Sequence, residues 1–516
     1  DPRLPNSNIE SYLQGVSVEL PDLPLFESLV AGRIKQGTLS GEIWASWNYK
    51  GWQQVVADIS VNAVDFSIKE RTFFYPDIST LLTWKRHSKI NSEFQLKKFK
   101  AVSESSGEID LAGLTVTVQK GKSTQLKLKY QNVEPGKLNN IWALMMIEPE
   151  LQDWFLEANP QVKIKDLLLT VEKKNDKWDV ISGYMNVPEA KLSRTSITPE
   201  LPMLSGKLFI NDNNVRYHLN AGTGQVDYGD LFIGPVETKA MSLQGEFIIF
   251  DGGSYLTFDA LDLTLKHANI LARGNLYFPD NQPAELSLQA ELSQTNLKNK
   301  KQLMPVGIMD DSLISYLDES VLGGDLTLAR FNFQTVLEGD VIEHPATTFD
   351  ILGFVENLDY KYQPDFPKLE QLDATLFFDQ NGMFIESTKG TLWNINVTKA
   401  TAVIRDFSAT IPLLDLNIEA TTDHKSARRL IDDSMLKQLL GDLLSDIQPA
   451  GTLSASTQLR IPLEGDGDIK VDGKVSLNDN DVYLPSVDLT PEKVSGSVQF
   501  NENKVWSNNL SANLFG

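Results

Sequence analysis

The chain has no cysteine, so disulfides, thiolate chemistry and cysteine metal sites are all excluded. Histidine is scarce. His87, His218, His267, His344 and His424 stand far apart, and none has a partner at a zinc spacing. Basic residues are in deficit, 47 against 69 acidic, for a net charge of −22. A chain so acidic is a poor partner for nucleic acid. Long apolar runs are missing too. The longest, 141–147, falls far short of the roughly 20 residues of a membrane-crossing helix. No signal peptide is present, and no G-x-S-x-G elbow. Asp1 and Gly516 read as cut ends of a longer protein, so the missing targeting signals say little about the whole.

What is there is alternation. Leu204, Gly206, Leu208 and Ile210 are spaced by two, as are Leu243, Gly245, Phe247 and Ile249. The pattern recurs as Ala272, Gly274, Leu276, Phe278 and as Leu372, Ala374, Leu376, Phe378. It closes the chain as Val471, Gly473, Val475, Leu477 and as Val494, Gly496, Val498, Phe500. Leu261, Leu263 and Leu265, then Leu286 and Leu288, continue it between copies. Spacing by two puts each set on one face of a strand, with Glu246 and Ile248 opposite Phe247 and Ile249. A glycine on that face leaves a notch for another backbone or a ligand. Turns such as Asn381-Gly382 and Asp251-Gly252 follow several copies, so hairpins and an antiparallel sheet are expected.

Helices are few. They are expected near 24–31, 149–158, 312–322 and 427–444. In the third, Asp311 and Ser312 are N-cap types, and Leu313, Tyr316, Leu317 and Val321 form the stripe. Gly323-Gly324 is the expected stop, and Leu326 and Leu328 start the next alternation. These helices divide the chain into four expected segments, 1–145, 146–302, 303–426 and 427–516. Each helix is expected to plug or cap the sheet's apolar face.

Candidate chemistry is thin. Gln119 to Ser123 mimics the tail of a phosphate loop, but the earlier glycine is replaced by Val116, so it reads as a basic hairpin turn. Gly465 to Asp468 lacks calcium-loop spacing. The pairs Asp310-Asp311 and Asp432-Asp433 sit near helix starts, where negative charge is favourable. Trp44, Trp47 and Trp52 read as packing. No enzyme, metal or cofactor is expected. An apolar face this long needs covering, and the pattern leaves two solutions open. One is a second sheet, giving a structural or adhesive array with closed sandwich cores. The other is a curled sheet with an open apolar trough.

MDDSLISYLDESVLGGD (309–325), the stretch 360–384, TAVIRDFS (401–408) and the stretches 461–484 and 494–516 together resemble the AsmA-like/TamB superfamily of Gram-negative envelope proteins. The likeness is clear over 300–516 and one of style before that. It implies a mainly β fold: a long twisted antiparallel sheet curled into an open apolar groove, punctuated by short amphipathic helices. It implies a periplasmic body held to the inner membrane by an anchor helix absent from this chain. The implied task is carrying phospholipid between inner and outer membranes. The implied partners are phospholipid acyl chains and outer-membrane or periplasmic proteins. The groove lining would then be Leu208, Ile210, Leu243, Phe247, Ile249, Leu261, Leu263, Leu265, Leu276, Phe278, Leu286, Leu288, Leu372, Leu376, Phe378, Val475, Leu477, Val498 and Phe500.

Overall fold

The computed structural model describes residues 9–19, 34–68, 71–103, 107–133, 157–174, 177–195, 198–339, 342, 344–362, 366–434, 437, 447–463 and 468–514. The fold is mainly β and antiparallel. It divides into two units, one of residues 1–229 and 235–261, the other of 230–234 and 262–516.

The first unit holds β1 (Ile9–Glu19), β2 (Ile34–Asn48), β3 (Gly51–Ile68), β4 (Arg71–Arg86), β5 (Asn91–Ser103), β6 (Gly107–Asp110), β7 (Thr115–Lys120), β8 (Thr124–Val133), β9 (Gln161–Lys174), β10 (Lys177–Lys191), β11 (Leu204–Asn211), β12 (Asn214–Ala221), β13 (Gly224–Val226) and β14 (Val236–Phe250). β15 (Gly253–Leu265) carries the division between the units. Each strand pairs with its neighbour in sequence, β6 and β13 being short side pairings onto β5 and β14. The ladder is open: β1 pairs with β2 alone among the described residues.

The second unit repeats the plan with β16 (Asn269–Pro279), β17 (Glu285–Asn296), β18 (Val321–Val336), β19 (Thr348–Tyr360), β20 (Leu369–Asp379), β21 (Met383–Leu392), β22 (Ile395–Ile404) and β23 (Leu413–Asp423). β24 (Gln448–Pro449) and β27 (Val482–Tyr483) form a separate small pair. The main ladder continues through β25 (Thr452–Pro462), β26 (Lys470–Asn480) and β28 (Glu492–Asn501), with β29 (Val505–Trp506) and β30 (Ser511–Asn513) against β28.

The two edges of each meander differ. One edge carries short turns such as Tyr49-Lys50, Asn213 and its neighbours, and Gln380 to Gly382. The other carries the long connections, including both described α-helices, α1 (Asp311–Ser320) between β17 and β18 and α2 (His424–Asp432) after β23. Burial follows this asymmetry in the second unit. Val355, Leu358 and Ala374 form one core cluster at the helix-bearing edge, with Leu297 and Val321 against it. Leu392, Ile395 and Ala420 form another, and Leu430 of α2 packs on it. Ile431 packs on Val471 and Phe500. α2 therefore lies across the apolar face, from Leu392 and Ile395 at the helix-bearing edge toward Val471 and Phe500 beside the short turns.

Several local expectations are corrected. The cap of α1 is Asp310, whose carboxylate accepts from the Ser312 N–H at 2.8 Å. α1 stops at Ser320, and Gly323-Gly324 lies inside β18, where the register shifts on both sides of Gly323 and Gly324 takes φ 125°. This is bulge chemistry, which glycine permits without strain. A further shift between Leu326 and Leu328 turns these two leucines to opposite faces despite their spacing. On α1, Leu313 and Tyr316 are exposed, while Leu317 and Ile314 are half-buried. The last helix begins at His424 rather than 427, capped by Asp423, and most of the expected remainder lies outside the described residues. So do the helix expected at 24–31 and that at 149–158 save Glu157-Ala158, which are helical.

Candidate functional site

Cross-strand register fixes which side chains share a face. In the first unit one unbroken row runs from β2 to β14: Ala45, Val55, Trp84, Phe94, Val116, Leu128, Leu169, Gly183, Ile210, Val215, Phe247. A second row beside it holds Tyr130, Leu167, Met185, Leu208, Tyr217 and Gly245. Leu243 continues the same face opposite Leu219. The reverse face reads Glu93, Thr117, Lys127, Thr170, Ser182 along the equivalent row. It is not wholly polar, since Leu168, Tyr184 and Phe209 form an apolar patch on it. Beside them Arg216 donates through Nε to Glu246 at 2.6 Å. Hydrogen bonds from Asn214 and Arg216 hold the Glu246 carboxyl below its ordinary value.

The second unit has the same arrangement. Ala272, Ala290, Phe331, Ile351, Phe378, Met383, Ile404, Leu414 and Ile461 form one row from β16 to β25. Gly353, Leu376, Ile385, Ala402, Leu416, Leu459 and Val471 form the next. Leu276 with Leu286, and Gly274 with Leu288, extend this face at β16 and β17. The reverse face carries the ion pairs Arg330–Glu291 and Arg460–Asp415, each at 2.8 Å, flanking an apolar patch that includes Phe377 and Phe384.

The candidate lining residues fall into two groups. Leu208, Ile210, Leu243, Phe247, Leu261, Leu276, Phe278, Leu286, Leu288, Leu372, Leu376, Phe378 and Val475 are half-buried, and Ile249 is 39% exposed. Leu263, Leu265, Leu477, Val498 and Phe500 are buried. Register joins many of them on one continuous face within each unit. A second sheet packed on that face would bury its row residues almost completely. Phe331, Leu376 and Phe378 are half-buried, as on an uncovered stretch of sheet, whereas Ile404, Leu414 and Val471 of the same rows are buried, Val471 beneath Ile431 of α2.

Two of the glycine notches are filled from within. Phe500 stands opposite Gly473, and a Cβ on Gly473 would overlap its ring. Tyr217 crosses Gly245 in the same way, and its hydroxyl donates to the Thr257 carbonyl at 2.6 Å. Burial pushes the Tyr217 phenol well up from its ordinary value, with Asp259 adding to the shift. Neighbouring aromatics occupy these two gaps. The tryptophans do pack: Trp47 and Trp52 meet edge-on at 4.9 Å, and Trp44 lies against Tyr12 on the reverse face. Among the described residues no group of acids and histidines is arranged to hold a metal. No described helix is long and apolar enough to cross a membrane.

These features define an open antiparallel β-meander with one apolar face continuous within each unit. The chain matches the family described as YhdP protein over residues 3–516, and it belongs to that family. It is 25% identical over 418 residues to the intermembrane phospholipid transporter YhdP of Escherichia coli (strain K12), a match covering 80% of this chain and 32% of that protein. The chain thus spans about a third of the length of the curated relative it matches.

Proposed function

We propose that this chain is a segment of a bridge-like lipid carrier in the periplasm, along whose apolar face phospholipid acyl chains travel between the inner and outer membranes. The observation that carries the reading is the continuous apolar row in each unit, half-buried through most of its length and buried at Ile404 and Leu414. Leaving a ~16-carbon chain in water costs roughly 12 kcal/mol at about 0.8 kcal/mol per methylene, and such a row removes that cost along its length. The side chains repeat with little variation, so no single position is a deep well. The proposed role needs no bond-making chemistry, and the relative's description as a transporter agrees with it.

The test is a pair of photo-crosslinking residues in the full-length protein in cells, one at Leu376 and one at Thr375. Leu376 lies in the apolar row opposite Gly353, and Thr375 lies on the reverse face opposite Phe354. Phospholipid capture at 376 and not at 375 is expected. Protein–protein crosslinks at 376 with lipid at neither site would instead establish a zipped sandwich. Equal capture at both would mean non-specific membrane contact. The pair Phe247 and Glu246 is a weaker choice, because replacing Glu246 breaks its bonds to Asn214 and Arg216.

A further inference from the structure

Three successive turns on the short-turn edge of the first unit join β2 to β3, β4 to β5 and β7 to β8. Their stretches, 48–52, 84–91 and 119–124, contain Lys50, Lys85, Arg86, Lys89, Lys120 and Lys122 and not one Asp or Glu. This is a concentration of positive charge in a chain of net charge −22. Backbone and side-chain bonds make the turns contiguous. Arg86 donates through Nη1 to the Lys50 carbonyl at 2.6 Å, and the Lys120 N–H donates to the Ile90 carbonyl at 2.8 Å. The same edge of the second unit is different. Its described turns carry Asp280, Glu338, Asp379, Asp406, Asp468 and Glu502 beside Arg405 and Lys504.

Register then places two of the cations. Leu82, Trp84 and Arg86 alternate onto one face, as do Val116, Val118 and Lys120. That face is the apolar one, since Trp84 and Val116 belong to its row. Each ladder therefore runs apolar, apolar, cation, ending at the edge. Lys50, Lys89, Lys120 and Lys122 are exposed. So are Tyr49, Trp52, Ile90 and Phe94, at 50, 47, 53 and 36%. Amphipathic aromatics among cations are the composition of a lipid headgroup boundary. Glu93 lies 3.7 Å from His87 and opposite Lys85 on the reverse face, and Glu172 accepts from Ser123 and Gln125.

We infer that this edge is a phosphate rail. Lys50, Arg86, Lys89, Lys120 and Lys122 hold the phosphates of lipids whose acyl chains lie on the adjoining apolar rows, and they favour lipids of net negative charge. The inference rests on the lipid-carrying reading and adds a headgroup preference to it.

The test uses the purified chain and the phospholipids extracted from it, measured by mass spectrometry as total lipid per protein and as the ratio of phosphatidylglycerol plus cardiolipin to phosphatidylethanolamine. The variant Lys89→Glu/Lys120→Glu/Lys122→Glu is compared with Lys127→Glu/Lys129→Glu/Lys207→Glu, which makes the same charge change at exposed positions of the reverse face. The rail variant is expected to keep bound lipid but lower the anionic ratio by about fivefold. The reverse-face variant is expected to match wild type. An unchanged ratio in the rail variant, or an equal fall in both, overturns the rail while leaving lipid carriage standing. Wild-type protein that yields no phospholipid overturns both. Unfolding midpoints of the two variants, expected to equal that of wild type, separate a lost rail from a lost fold.

Discussion

The ring of Phe500 lies across the bare Cα of Gly473 on the adjacent strand, and the two make one packing unit. Phe500 is 5% exposed, so it has nowhere to retreat. Gly473→Ala is expected to destabilise the chain by about 1–3 kcal/mol, the usual cost of overpacking. Adding Phe500→Leu should recover part of the loss. Urea midpoints of the two single variants and the double variant measure the coupling, and strictly additive effects would break the assignment.

Tyr217 bridges in the same manner but adds a hydrogen bond to the Thr257 carbonyl. Tyr217→Phe is expected to cost about 1 kcal/mol. The phenol's value is raised in the fold, so its contribution is complete below its ordinary value of 10.0 and is lost as pH rises past that. Wild-type stability should therefore fall more steeply than that of Tyr217→Phe between about pH 9 and about pH 11. Denaturation series across that interval check it.

Leu430 is the contact by which α2 covers Leu392, Ile395 and Ala420. Leu430→Ala is expected to cost about 1–3 kcal/mol, at the low end for leucine because the residue is half-buried. Amide exchange should quicken around β21 to β23 and stay unchanged in the first unit. Uniform quickening would show that the helix is not a local cap.

The bulge in β18 makes a sharper test of register. Leu326 stands opposite Val355 on the apolar face, and Leu328 stands opposite Phe354 on the reverse face. A photo-crosslinking residue at 326 is expected to capture phospholipid and one at 328 is not. Uninterrupted alternation would predict capture at both.

These cases mark how much a single chain reveals. Strand and face were legible wherever alternation was regular, as in Leu372 to Phe378, because a period of two has one geometric meaning. Bulges were not. Nothing local in Val321 to Leu328 announces that register will shift three times, since the shift depends on what β19 offers across the ladder. The stripe on α1 is legible only in part for a related reason: Leu313 follows helical spacing as well as Leu317 does yet is exposed, while Tyr316, also exposed, still reaches the Tyr360 hydroxyl, and only the partner surface chooses. The basic turn at Gln119 to Ser123 was read correctly as a turn. Its place beside Arg86 and Lys50 came from contacts between residues 28 to 36 positions apart, which no local pattern records.

Pairing between successive strands of the ladder makes each unit quasi-one-dimensional. Excision of β21 and β22 together would leave Phe378 facing Leu414, both already on the apolar face and on strands already antiparallel. Excision of one strand alone would reverse the chain and mismatch the face. The hairpin, about 9.5 Å of sheet, is thus the indivisible increment by which such a molecule can lengthen or shorten in evolution without redesign of its interior.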